Sequence, residues 1–133
     1  MELGIFLVAV ILLGVLEIFL ILKRRKKLSK SDYSLVCKEW ESVSKRVEYD
    51  ARHSVLEADK LVDFVLKRKG YEGQMSDKLR KAEGIFSNSN ALWSAHKLRN
   101  KIAHEVGFEV SKEDAKSALS AFKQALWDLG IRL

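Results

Sequence analysis

The chain opens on an almost unbroken apolar run and then changes to helical stripes. Residues 3–22 are apolar except for Glu17, with Gly4 and Gly14 inside the run. About 20 such residues span a bilayer as one helix. After a basic connector, Ser31 or Asp32 can cap a new helix, and residues 31–69 hold no Pro or Gly. Tyr33, Val36, Trp40, Val43, Val47, Ala51, Val55, Ala58, Val62 and Val65 keep one stripe at helical spacing. The stripe predicts one helix of nearly 40 residues, or two helices with a bend near Asp50. Leu56 and Phe64 fall off the stripe and can start a second contact surface, while His53 projects toward solvent.

Gly70 and Gly73 end this segment. The run Gly70-Tyr71-Glu72-Gly73 has the letters of a G-x-x-G nucleic-acid clamp, but that clamp needs a mixed α/β domain and no strand pattern is present. It reads as a turn. Ser76 can cap a short helix through Ala82 with Leu79 facing inward, and residues 84–89 form a loop. In residues 90–106, Leu92, Ala95, Leu98, Ile102 and Val106 share one helical face, with Ser87, Asn88 and Ser89 as candidate caps. Residues 107–110 connect to a last helix. There Ser111 and Asp114 resemble a capping box, and Ala115, Leu119, Phe122, Leu126 and Leu129 line one side before Gly130. The pattern predicts an all-α, up-and-down bundle of three long helices and one short one, behind a single transmembrane helix. Its parts are residues 1–22 as the span, 23–30 as a basic linker and 31–133 as the helical domain.

Charge sharpens the reading of the apolar run. The net charge of +6 is uneven: residues 1–22 carry only Glu2 and Glu17, whereas Lys23, Arg24, Arg25, Lys26 and Lys27 are consecutive. A cleaved signal would place its positive charge before the apolar run and end in small residues, which this chain does not do. The positive-inside bias keeps the basic run in the cytoplasm and points the amino terminus outward, in a cell membrane. The basic run can also rest on anionic lipid head groups. Glu17 is costly in hydrocarbon. It reaches Arg24 or the head groups, or it makes a helix–helix contact in an oligomer. Residues 28–133 hold 19 basic and 16 acidic side chains, so charge alone does not demand nucleic acid. Cys37 is the only cysteine, which excludes an internal disulfide and fits a reducing compartment.

Candidate chemistry concentrates in residues 90–106. Arg99 falls inside the packed sector, and a guanidinium that keeps its proton must find an anion or strong acceptor there. Glu57 and Asp59 flank the stripe of the preceding long helix, and either can supply that carboxylate. His96, Asn100 and His104 recur every four residues on the flank beside Arg99, with Lys101 next to them. A fixed cation, an amide and two imidazoles suit a phosphate that is bound, polarised and served by a proton carrier. A shared metal fits poorly: His96 and His104 are about 12 Å apart along a helix. No Gly-rich phosphate loop or serine-nucleophile motif accompanies them, and no cofactor is implied.

Arg99-Asn100-Lys101-Ile102-Ala103-His104 resembles the R-x4-6-H motif of HEPN domains, with the polar residue usual after the Arg. The resemblance covers residues 31–133 and extends to small helical HEPN-like proteins of bacteria. It implies metal-independent RNA cleavage, with His104 as general base or acid, Arg99 on the phosphorane and Asn100 as orienting group. It implies a homodimer whose two motif helices form one composite site. It also brings in toxin or defence roles with a possible antitoxin partner. Some HEPN toxins carry a Tyr two residues after the motif His that such a partner modifies; here Val106 stands there. The other reading of the same residues is a buried polar network in a non-catalytic, membrane-tethered interaction or nucleotide-binding module.

Overall fold

The computed structural model describes residues 1–24 and 26–133, with side chains for residues 1–20 and 26–133. A partnership of Glu17 with Arg24, and the place of Arg25 in the basic run, lie outside the described residues. The described chain is all-helical: α1 (Glu2–Arg24), α2 (Lys30–Arg46), α3 (Ala51–Arg68), α4 (Met75–Lys81), a 3-10 turn (Glu83–Ile85), α5 (Ser89–His104) and α6 (Lys112–Asp128). Residues 2–20 of helix α1 bury no side chain within the chain, and this stretch is long and apolar enough to cross a membrane.

The rod of nearly 40 residues is not formed. The chain bends beside Asp50, the other outcome the stripe allowed, and the bend is a full reversal. Arg68 at the end of α3 meets Asp32 near the start of α2, Nε to Oδ2 at 3.2 Å. Asp50 caps α3 by accepting from the backbone N–H of His53 at 3.0 Å. Inside the hairpin, the fully buried Ser54 hydroxyl donates to the carbonyl of Val43. The physical reason is length. A helix of about 38 residues would run about 57 Å, and α5 and α6, with 16 and 17 residues, could cover less than half of its stripe. Folding back buries Val36 and Val43 together with Val55, Val62 and Val65.

Helix α3 is the centre of the domain, packed against α2, α5 and α6, while α5 and α6 pack on each other. Cross-links at the two ends give the helix directions. At one end the start of α2 meets the chain terminus, where the Tyr33 hydroxyl accepts from the backbone N–H of Arg132 at 2.9 Å. At the other, Lys112 and Lys116 at the start of α6 pair with Glu48 of the hairpin turn. The hydrogen bond from Lys116 holds the Glu48 carboxyl below its ordinary range. Helices α2 and α5 therefore run one way, and α3 and α6 run back. The bundle has four long helices rather than three, with α4 and the 3-10 turn bridging α3 to α5.

Smaller expectations shift by a turn. Helix α4 starts at Met75 under Gln74, whose backbone N–H donates to Asp77, and not under Ser76. Leu79 is fully buried there as expected. Leu56 and Phe64 pack at the edge of the core, and Leu66, off the stripe, is fully buried. Cys37 is half-buried. Val106 was expected on the packed face of the motif helix but is fully exposed. Helix α5 ends at His104 because Glu105 turns to extended backbone, φ -86° and ψ 120°, and because Arg52 of α3 claims the Ile102 carbonyl. Its guanidinium donates to Ile102 O at 2.6 Å and Phe108 O at 3.3 Å. Ile102→Ala should therefore destabilise the domain by about 2–5 kcal/mol, while Val106→Ala changes it by less than about 0.5 kcal/mol. Denaturant melts of the full chain in detergent micelles, followed by far-UV circular dichroism, check both.

Candidate functional site

Helix α5 is capped by Asn88, which accepts from the N–H of Ala91 at 3.0 Å. Buried Leu92, Ala95 and Ile102 turn the helix so that His96 and Arg99 meet α3. Asp59 waits there, one residue past the buried Ala58 and only 3% exposed. A carboxylate that deep is costly unless it is paired and hydrogen-bonded. Both partners come from α5. His96 Nδ1 lies 2.8 Å from Asp59 Oδ1, and Arg99 Nε lies 3.4 Å from Asp59 Oδ2.

Asn100 closes the arrangement into a ring. Arg99 Nη1 donates to Asn100 Oδ1 at 3.1 Å, and Asn100 Nδ2 lies 3.4 Å from His96 Nε2. A carboxylate only accepts, so His96 Nδ1 carries the hydrogen toward Asp59. Its Nε2 then offers a lone pair to the Asn100 amide, whose oxygen is already turned to Arg99. Every member donates or accepts consistently around the circuit. Its weakest side is Arg99 Nε, which is buried and faces Asp59 without a well-formed hydrogen bond.

This ring forms one wall of a groove of about 580 Å³. The α5 wall carries His96, Arg99, Asn100 and His104; α3 contributes Asp59, Lys60 and Asp63; Gly73, Gln74, Met75, Ser76 and Lys78 close it from the α4 side. His104 is exposed on the last turn of α5 and makes no hydrogen bond or ion pair among the described residues. Arg99 keeps 28% of its side chain exposed. A smaller pocket of about 240 Å³ between α5 and α6 is lined by Ser117, Ser120, Gln124 and Asp128, among others, and has no basic group. Unlike that pocket, the larger groove carries basic groups that can hold an anion. Among the described residues, no three His, Cys, Asp or Glu side chains gather where they could share a metal ion.

The structure brings together Arg99, Asn100, His96, His104 and Asp59. It leaves out two supporting residues. Glu57 does not reach Arg99: it binds Lys60 at 2.8 Å and lies 3.9 Å from His53 Nε2, on the neighbouring strip of α3. Lys101 is exposed and not part of the groove lining. Between the two candidate carboxylates, the choice follows from the helix: Asp59 adjoins the buried Ala58, while Glu57 turns outward.

Further contributors had no role in the sequence reading, among them Lys60, exposed on α3 and bound to Glu57. Asp63 sits one turn beyond Asp59 on the same face of α3, a spacing that could have revealed it. Lys78 is 5% exposed and spends its ammonium on Asp63, which depends on how α4 docks and leaves no local signature. Arg52 holds the α5 carboxyl end from which His104 projects.

Truncating Asp59 strands His96 and Arg99 beside a void. Asp59→Ala should cost about 3–5 kcal/mol of stability. The loss should be strongly non-additive with His96→Ala in a double-mutant cycle read by denaturant unfolding.

Comparison with protein-family models, with characterised proteins and with solved structures finds no match to this chain.

Proposed function

We propose that this chain is a membrane-anchored, HEPN-like protein that cleaves RNA without a metal ion, acting as a homodimer. The observation that carries the reading is the sharing of one groove by Arg99, Asn100 and an unpartnered His104. In the reaction, the ribose 2′-oxygen attacks the adjacent phosphorus and the bond to the 5′-oxygen breaks. A 2′,3′-cyclic phosphate and a 5′-hydroxyl remain. The exposed edge of Arg99 offsets the charge developing on the phosphorane. His104 moves the proton, the role for which an imidazole side chain is suited.

The requirement for two chains follows from proton accounting. One group must take the 2′-hydroxyl proton and another must supply one to the leaving oxygen. His96 cannot serve as the second, because Asp59 and Asn100 occupy both of its nitrogens. His104 of a second copy can. Helix α1 spans the cell membrane in this reading with the amino terminus outside, so the groove faces cytoplasmic RNA. A toxin or defence role, with an antitoxin that covers the groove, fits the same placement.

One observation favours a second reading, a tethered interaction or nucleotide-binding module. Arg99 already answers Asp59 and Asn100, so the ring can serve packing alone. The two readings separate on one comparison. Full-length protein in detergent should cut RNA in excess chelator and leave cyclic-phosphate ends. Arg99→Ala and His104→Ala should each lower the rate at least about 10²-fold. His104→Ala should also keep its unfolding free energy within about 0.5 kcal/mol, because the side chain is exposed and unpartnered. Specific activity should fall on dilution as the dimer parts. Intact RNA with the wild type, under every condition that keeps the protein folded and dimeric, leaves only the interaction module.

A further inference from the structure

The end of the bundle where α2 begins has a chemistry of its own. Leu28 packs against the core and Ser29 caps α2 by accepting from Asp32 N–H at 3.1 Å, so the domain starts at Leu28. Only residues 25–27 separate it from α1. Three residues and their flanking bonds reach at most about 14 Å when extended. If α1 spans a bilayer, this end of the domain stays within about one or two Debye lengths of the lipid surface.

The groups gathered at that end come from distant parts of the chain. Lys26, Lys27 and Lys30 precede or open α2, and all are exposed. The antiparallel α3 brings Lys67 and Arg68 to the same end. The carboxyl terminus brings Arg132, fixed by Tyr33, with its guanidinium 3.8 Å from the ring centre of Trp127. Trp127 is an indole on the last turn of α6 that remains 47% exposed. Lys30 and Lys67 enter no ion pair among the described residues. Among the acids nearby, Asp32 pairs with Arg68, Asp128 is hydrogen-bonded by Ser87 and Gln124 and keeps its charge, and Glu72 and Glu83 enter no ion pair among the described residues. Basic side chains around an amphipathic indole are what a protein presents to an anionic membrane interface.

We infer that this end of the folded domain is a docking surface for an anionic lipid bilayer, with Lys30, Lys67 and Arg132 facing head groups and Trp127 entering the interface. This rests on the membrane anchorage proposed above. Docking stands the bundle on end. The α5 helix then runs away from the lipid, and His104, fifteen residues from its start, is carried about 22 Å outward. The groove opens to the cytoplasm rather than to head-group phosphates.

Full-length protein reconstituted into vesicles tests this. One set is phosphatidylcholine alone and the other contains 30% phosphatidylglycerol, each with lipid brominated high on its acyl chains. Trp127→Phe identifies the fluorescence that belongs to Trp127. In the anionic vesicles that fluorescence should be quenched at least twofold, and the quenching should vanish in neutral vesicles, in 0.5 M salt and in the Lys67→Glu/Arg132→Glu variant. Far-UV circular dichroism of the variant should match the wild type, since Lys67 and Arg132 are exposed. Protein that floats with anionic vesicles but shows no Trp127 quenching overturns docking and leaves the anchor intact. Protein that fails to float with vesicles overturns both. Equal quenching in neutral and anionic vesicles overturns the electrostatic surface. RNA retention lost in the double variant, with no lipid-dependent quenching, assigns this end to nucleic acid and overturns lipid docking.

Discussion

A single buried carboxylate governs the arrangement of this domain. Asp59 sits in the interior of the α3–α5 contact, where an unpaired charge would cost several kcal/mol. Its two oxygens are met by His96 and Arg99, residues three apart and so stacked on one face of α5. Apolar packing of Leu92, Ala95 and Ile102 would tolerate a slide or a rotation of α5. The carboxylate would not, because sliding by one residue would take both donors away. Register on α3 thus becomes a property of one anion, and the positions of Asn100 and His104 follow from it.

The same contact sets the electrical character of the groove. Asp59 neutralises the inner edge of Arg99, Asp63 neutralises Lys78, and the His96 ring is saturated by hydrogen bonds. What remains for a ligand is the outer edge of one guanidinium, one free imidazole and Lys60, itself shared with Glu57. That is a modest attraction for a phosphate, and its strength comes from fixed orientation more than from net charge. In the homodimer proposed above, a second copy of the groove would add its own guanidinium edge and imidazole to those of the first.

Most of the fold was legible because it rests on periodicity. The stripe from Val36 to Val65 marks the core side of two helices without gaps, and Leu119, Phe122 and Leu126 do so for α6. The reversal near Asp50 was harder to read. No Pro or Gly marks it, and Val47 and Ala51 continue the stripe straight across the turn. Chain reversal there is a tertiary choice, made because α5 and α6 cover only a short length. The overlong α5 pattern erred for a similar reason. Val106 has the right spacing, but Arg52, 54 positions earlier, takes the Ile102 carbonyl that would have accepted from the Val106 N–H. Of the site, the α5 residues were visible as a local i, i+4 pattern. The α3 and α4 contributions were visible only where a helical face could be reckoned. Asp59 and Asp63 qualify, and Lys78 does not.

The bundle is chemically polar along its axis, and that polarity follows from its topology. In an up-and-down arrangement the start of α2, the end of α3 and the end of α6 must share one end. Basic residues in the last turn of a helix are favoured by the partial negative charge of its free carbonyls. Lys67 and Arg68 satisfy that preference for α3, and the lysines flanking the start of α2 lie close by because of the short linker. Local preference thus accounts for Lys67 and Arg68 at that end, but not for Lys30 or Arg132. The opposite end gathers Glu48, Lys112 and Lys116 into mutual pairs, and leaves His104 open. If α1 is anchored in a bilayer as proposed, the short linker keeps the end where α2 begins near the lipid, while His104 projects from the opposite end of α5.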